Sequence, residues 1–128
     1  MRLLLDTCAF LWITTAAKEL TPTVRRVFSN SDNEIFLSSV SVWEIIVKYN
    51  LGKLPLPESP NKFIRSQREK HAIETLPLTE NEVSFLCQLP DYHKDPFDRM
   101  LICQAIAQDL TILTNDAFIQ QYPVKTLW

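Results

Sequence analysis

Four acidic side chains stand at the edges of segments that should otherwise bury apolar surface. Asp6 follows Leu3-Leu4-Leu5, and Glu44 lies inside Val42-Trp43-Glu44-Ile45-Ile46. Asp98 opens Asp98-Arg99-Met100-Leu101-Ile102-Cys103, and Asp116 closes Leu110-Thr111-Ile112-Leu113-Thr114-Asn115-Asp116. A carboxylate on a core-facing segment costs several kcal/mol unless something pairs with it. One such residue is ordinarily a cap or an ion pair. Four, each at an element edge, point to a shared partner, and the simplest shared partner is a divalent cation. An acidic set without His or Cys ligands selects hard ions such as Mg²⁺ or Mn²⁺.

Each acid also has a local alternative. Asp6 can cap the helix that follows it. Glu44 can pair with Lys48 at i, i+4. Asp98 lies three residues after Asp95, the spacing of a cap and its N3 partner, although it shares a face with Leu101, Ile102 and Ala105. Asp116 can be a first-turn acid behind an Asn115 cap. Each alternative accounts for one acid, and none accounts for all four.

The elements that must position these residues alternate between strand and helix. Arg2–Leu5 is a short apolar run, read as a buried strand, followed by a helix over Cys8–Thr15. Thr21-Pro22 is a cap-plus-proline helix start, with Val24, Val27 and Phe28 on the apolar face. Glu34–Ser38 reads as a strand. Ser38, Ser39 or Ser41 then caps a helix to about Asn50, with Val40, Trp43, Val47 and Leu51 as its apolar stripe and Trp43 in the core. Ser59-Pro60 opens another helix, and Ile73–Leu76 is a third strand. Thr79-Glu80-Asn81-Glu82 is a capping box for a helix to about Leu89. Asp95-Pro96 begins a helix to Gln108. Leu110–Leu113 is a strand, 115–121 a short helix, and 124–127 a last strand. This alternation predicts an α/β fold, a mainly parallel central sheet of about four or five strands with helices on both faces. Sites in such sheets form beyond the carboxyl ends of the strands, where all four acids can meet.

Composition narrows the chemistry. The 128 residues suit one domain, 1–128, and the 46% apolar content suits a packed core. The single glycine, Gly52, excludes a glycine-rich phosphate cradle. A net charge of −2 argues against binding nucleic acid by bulk positive charge but leaves room for a nuclease with local basic residues. Lys48, Lys53, Lys62, Arg65, Arg68, Lys70 and His71 give the middle of the chain a basic bias, which a solvated helix face also explains. Cys8, Cys87 and Cys103 form no C-x-x-C pair and lie in apolar stretches, so they read as small core residues. The N-terminal apolar run is too short for a signal peptide, and no stretch approaches a membrane helix. The expected setting is a reducing cytoplasm.

The arrangement resembles the PIN-domain family, in particular the VapC-like ribonuclease toxins of bacterial toxin–antitoxin pairs. Leu3-Leu4-Leu5-Asp6-Thr7-Cys8-Ala9-Phe10-Leu11-Trp12 looks like the family's opening strand, D-T and helix. Ser39-Val40-Ser41-Val42-Trp43-Glu44-Ile45 looks like its second acidic motif. His93-Lys94-Asp95-Pro96-Phe97-Asp98-Arg99 is similar to the H-x-D-P-F-D-R form of one branch, and Thr114-Asn115-Asp116 to the closing T-x-D. The likeness covers nearly the whole chain.

The resemblance implies a Mg²⁺ or Mn²⁺ site made by Asp6, Glu44, Asp98 and Asp116, with Thr7 and Thr114 as supporting hydroxyls. Asp95 lines up with an acid of this branch, while Asp95-Pro96 also reads as cap and first helical residue. Lys48, Lys53 and Arg99 are candidates for RNA contact, and His93 reads as a loop histidine. The implied activity is hydrolysis of RNA phosphodiesters by a metal-activated water. The implied partners are a cognate antitoxin and a second copy of the chain. Alternatives are a PIN nuclease acting in RNA maturation or on structured DNA, and a catalytically silent binding module. A haloacid-dehalogenase-type phosphatase also begins with an apolar strand and Asp, but it wants a second Asp where this chain has Cys8.

Overall fold

Three leucines explain where the sheet sits. In β1 (Arg2–Leu5), side chains alternate between faces, so Leu3 and Leu5 enter one apolar cluster and Leu4 the other. A strand buried on both faces must be central and covered on both sides. The computed structural model, which describes residues 1–128, has β1 in the middle of a five-stranded sheet of order β3-β2-β1-β4-β5. Every pairing is parallel: β1 with β2 (Glu34–Ser38) and β4 (Thr111–Leu113), β2 with β3 (Ile73–Leu76), and β4 with β5 (Thr126–Leu127). The expected parallel α/β fold is therefore the one observed.

The two clusters divide the helices. One gathers Leu3, Leu5, Phe10, Ile13, Val24, Ile45 and Phe63, and so holds α1 (Thr7–Thr15), α2 (Pro22–Ser29), α3 (Ser39–Asn50) and α4 (Pro60–His71) to the sheet. The other packs Leu4, Phe36 and Ile112 against Leu101, Ile102 and Ala105 of α6 (Pro96–Gln108). The chain steps outward from β1 to β3, then returns through α5 (Glu80–Ser84) and α6 to β4 on the other side of β1. The order thus reverses beside β1, and the crevice beyond the carboxyl ends of β1 and β4 is the switch point where open α/β sheets place their sites.

Several local expectations need correction. The helix α3 buries Val40, Ser41, Glu44 and Ile45; of the expected stripe Val40, Trp43, Val47, Leu51 only Val40 is buried, and Trp43 and Leu51 are exposed. The carboxylate of Glu44 finds partners inside, so the helix is turned away from its most apolar side. Cys8 and Cys87 are exposed and only Cys103 is buried. α5 ends at Ser84 and continues as a 3₁₀ turn over Phe85–Cys87, and Pro90 disfavours any helix at Leu89 beyond it. Residues 115–121 form a turn with only a 3₁₀ segment at Ile119–Gln121. There the Asp116 side chain takes the Phe118 and Ile119 N–H groups, and Pro123 stops any extension. No helix is long and apolar enough to cross a membrane.

Candidate functional site

Asp6 leaves the end of β1 and is the N-cap of α1. Its Oδ1 accepts from the Ala9 N–H at 2.6 Å. Its Oδ2 accepts from the Thr114 hydroxyl, which in turn accepts from the Asp116 N–H at 3.0 Å. Residues 108 positions apart are thereby joined across the ends of the two central strands. Capping and site membership are compatible, because each carboxylate oxygen keeps a free lone pair.

Glu44 reaches the same crevice from α3, whose N-cap Ser38 accepts from the Val40 N–H at 3.0 Å. Glu44 is 4% exposed. Its Oε1 accepts from the Thr7 hydroxyl at 2.6 Å, and its Oε2 lies 2.5 Å from Lys48 Nζ. Ser41 Oγ stands 3.0 Å from the Thr7 hydroxyl and completes the buried cluster.

Asp95 is the N-cap of α6, accepting from the Phe97 and Asp98 N–H groups at 2.9 and 3.1 Å, with Pro96 at the first helical position. That cap fixes Asp98 in the first turn. Asp98 Oδ2 lies 3.2 Å from His93 Nε2, while His93 Nδ1 is 2.8 Å from the Tyr122 hydroxyl. The Tyr122 oxygen also accepts from the His93 N–H and from Arg99, at 3.2 and 3.0 Å. With both lone pairs used, the phenol proton goes to Nδ1, which leaves Nε2–H to donate to Asp98.

Among the basic candidates, Lys48 stands at the site through Glu44. Lys53 is exposed in the turn after α3. Arg99 is committed to the loop before α6: it donates to the Pro90 carbonyl at 2.8 Å and pairs with Asp91 at 3.2 Å. Arg68 is likewise occupied, donating to the Glu74 and Leu37 carbonyls. Sequence reasoning missed Ser41 and Tyr122 and set His93 aside. The available signals were the S-x-x-E spacing of Ser41 and Glu44, and the place of His93 at the head of the H-x-D-P-F-D-R run.

Asp6 and Asp98 feel both their burial and the neighbouring acids. Burial pushes Asp6 up to about 6, opposed by its bonds from Thr114 and Ala9 and reinforced by the charges of Asp116 and Glu44. Burial also pushes Asp98 up to about 6, with the charge of Asp95 next; the His93 bond opposes this, and Asp116 and Glu44 add to it. The Cys8 thiol rises to about 11, first by desolvation and then by the Asp6 and Glu44 charges. It is therefore protonated at neutral pH and is no nucleophile.

As the side chains stand, no three His, Cys, Asp or Glu residues converge tightly enough to grip an ion. Their positions are set by protein hydrogen bonds. In chemistry the set fits a hard divalent cation: all donors are carboxylates, they repel one another, and Lys48 is the one cation paired with them besides the His93 contact.

A sequence model of the PIN domain matches residues 3–125. A stretch of 40 residues is 42% identical to "Ribonuclease VapC16" of Mycobacterium tuberculosis, covering 31% of this chain and 28% of that protein. The match thus spans little more than a quarter of that relative's length. Among solved structures, VapBC2 from Rickettsia felis, bound to a DNA fragment from its promoter, superposes with a TM-score of 0.74 at 17% identity, over 99% of this chain and 98% of that one. DNA-bound VapBC from Salmonella typhimurium gives 0.66 at 17% identity, over 99% and 97%. FitAcB from Neisseria gonorrhoeae gives 0.63 at 19% identity, over 98% and 96%. At these identities the structural likeness establishes the fold.

Proposed function

The chain belongs to the PIN-domain family, and from that premise we propose that it is a metal-dependent endoribonuclease, a single PIN-like domain that hydrolyses RNA phosphodiester bonds. The observation that carries this reading is the convergence at the switch point: Thr114 ties Asp6 to the Asp116 backbone, Thr7 ties Glu44 in beside them, and burial holds Asp6 and Asp98 up near 6. Carboxylates buried together persist where a cation relieves the cost of their burial.

Asp6, Glu44, Asp98 and Asp116 would hold Mg²⁺ or Mn²⁺, and the bound ion supplies an activated water and neutralises charge on the phosphate oxygens. The chain's own residues do the rest. Thr7 and Thr114 orient Glu44 and Asp6 by hydroxyl donation. Asp95 holds the first turn of α6, and His93 orients Asp98. Lys48 balances Glu44 until an ion arrives, and then, with Lys53, steers the RNA backbone. Arg99 supports this indirectly by fixing the 90–93 loop.

In the cell the chain acts as the toxin of a toxin–antitoxin pair, as a homodimer in the cytoplasm. Its likeness along nearly its whole length to VapBC and FitAB complexes supports the antitoxin partner. A basic antitoxin side chain is a natural plug for four carboxylates. The test has two arms. Purified protein should cut RNA with Mg²⁺ or Mn²⁺ and stop with chelator, and its expression should arrest growth unless the neighbouring antitoxin gene is co-expressed. Metal-independent cutting, or arrest undiminished in Asp6→Asn, would overturn the proposal.

A further inference from the structure

Two aromatic pairs flank the acid site, and each leaves a ring open to solvent. Trp43, the neighbour of Glu44, is 58% exposed and meets Phe97, the neighbour of Asp98, edge to face with ring centroids 4.8 Å apart. Phe118, two residues beyond Asp116, is 51% exposed and stacks on His93 at 5.2 Å, with the rings 7° from parallel. Trp43 lies on α3, which follows β2, and Phe118 lies in the turn after β4. Asp98 stands between them, adjacent to Phe97 in the chain and bonded to His93.

We infer that these rings are stacking platforms for the nucleobases on either side of the scissile phosphate. The inference rests on the nuclease reading of the acid site. A phosphodiester drawn against these largely buried carboxylates splays its two flanking bases, and unstacked bases seek aromatic faces. In a duplex those faces are already covered, so the platforms gain nothing from paired RNA. The two exposed rings sit on separate pairs, with Asp98 adjacent to Phe97 in the chain and bonded to His93, an arrangement that suits successive bases. Each exposed ring is also held in place by its partner ring, so little side-chain freedom is lost on stacking.

The test measures binding of a short fluorescent single-stranded RNA of mixed sequence to the full chain carrying Asp98→Asn, by anisotropy. Trp43→Ala and Phe118→Ala should each weaken binding roughly tenfold. Trp43→Phe and Phe118→Tyr should restore most of it. On an abasic strand of the same length the alanine variants should lose nothing further, and annealing the RNA to its complement should erase the difference between parent and variants. Both positions are exposed, so melting temperatures should stay near the parent's. If the unsubstituted chain cuts RNA but the alanine variants bind it as tightly as the Asp98→Asn protein does, this inference falls and the nuclease reading stands. If the parent neither binds nor cuts any RNA, both fall. A smaller oligomer for Trp43→Ala with unchanged RNA affinity would make that ring a subunit contact and overturn its assignment.

Discussion

Lys48 Nζ lies 2.5 Å from Glu44 Oε2, one helical turn further along α3. The carboxylate is buried and the ammonium half-exposed, so the lysine can leave for solvent while the acid cannot. In the absence of metal, Lys48 supplies the positive charge that Glu44 needs. We expect Lys48→Met to lower the melting temperature of the metal-free protein, because it leaves a buried carboxylate unpaired. The same change should tighten Mn²⁺ binding severalfold and raise KM for RNA. Calorimetry and steady-state kinetics separate the two effects; unchanged metal affinity would show that lysine and ion do not compete.

Thr114 joins the two central strands by donating to Asp6 and accepting from the Asp116 N–H. Thr114→Val keeps the shape and removes both bonds. We expect a loss of about 1–3 kcal/mol in unfolding free energy, with Thr114→Ser recovering most of it. Denaturant unfolding reads this directly. Parent-like stability in the valine variant would mean that the bridge contributes little.

The raised carboxylates set a pH dependence with a definite sign. A folded-state value near 6 for Asp6, above its ordinary 3.8, means that the folded protein holds this proton more tightly than the unfolded chain. The penalty is absent below the ordinary value and complete above about 6. Metal-free protein should therefore lose stability from this group as pH rises from about 4 to about 6, by at most roughly 3 kcal/mol. Asp98 adds in the same direction. Asp6→Asn should flatten the slope and stabilise the metal-free protein at neutral pH, while saturating Mn²⁺ should flatten it in the parent. Metal affinity should fall below about pH 6, as protons compete for the same oxygens. Melting curves across this range, with and without Mn²⁺, give all three comparisons.

His93 connects Asp98 to Tyr122, and through it to Arg99. We expect His93→Ala to weaken Mn²⁺ binding by about tenfold, in the range seen when a ligand loses its hydrogen-bonding support. Tyr122→Phe should act in the same direction but less, because it frees the imidazole to change tautomer. Metal affinities of the two variants, alone and combined, check this. Additive losses would mean that the residues act separately.

The elements were legible where chemistry is local. Leu3-Leu4-Leu5 named its own strand, and Thr21-Pro22, Asp95-Pro96 and the Thr79–Glu82 box marked helix starts that the structure retains. The four acids could be singled out because each breaks an apolar pattern. Periodicity failed on α3, where the polar Ser41 and Glu44 face inward and Trp43 faces out; apolarity locates a face only when buried polar groups lack partners. It failed again at 115–121, where side-chain bonds from Asp116 replace a helical turn. The His93–Tyr122 contact spans 29 residues and arises only once α6 and the C-terminal turn have packed, so no local signal carries it.

The central claim is that Asp6, Glu44, Asp98 and Asp116 together bind a divalent ion. Calorimetric titration of Mn²⁺ into metal-free parent and into Asp98→Asn at neutral pH tests it most directly. We expect saturable binding by the parent at millimolar metal or below, and at least a tenfold loss in the variant, which removes one carboxylate charge from the set. A parent that binds no Mn²⁺ at millimolar concentrations, or a variant that binds it as tightly as the parent, would contradict the claim.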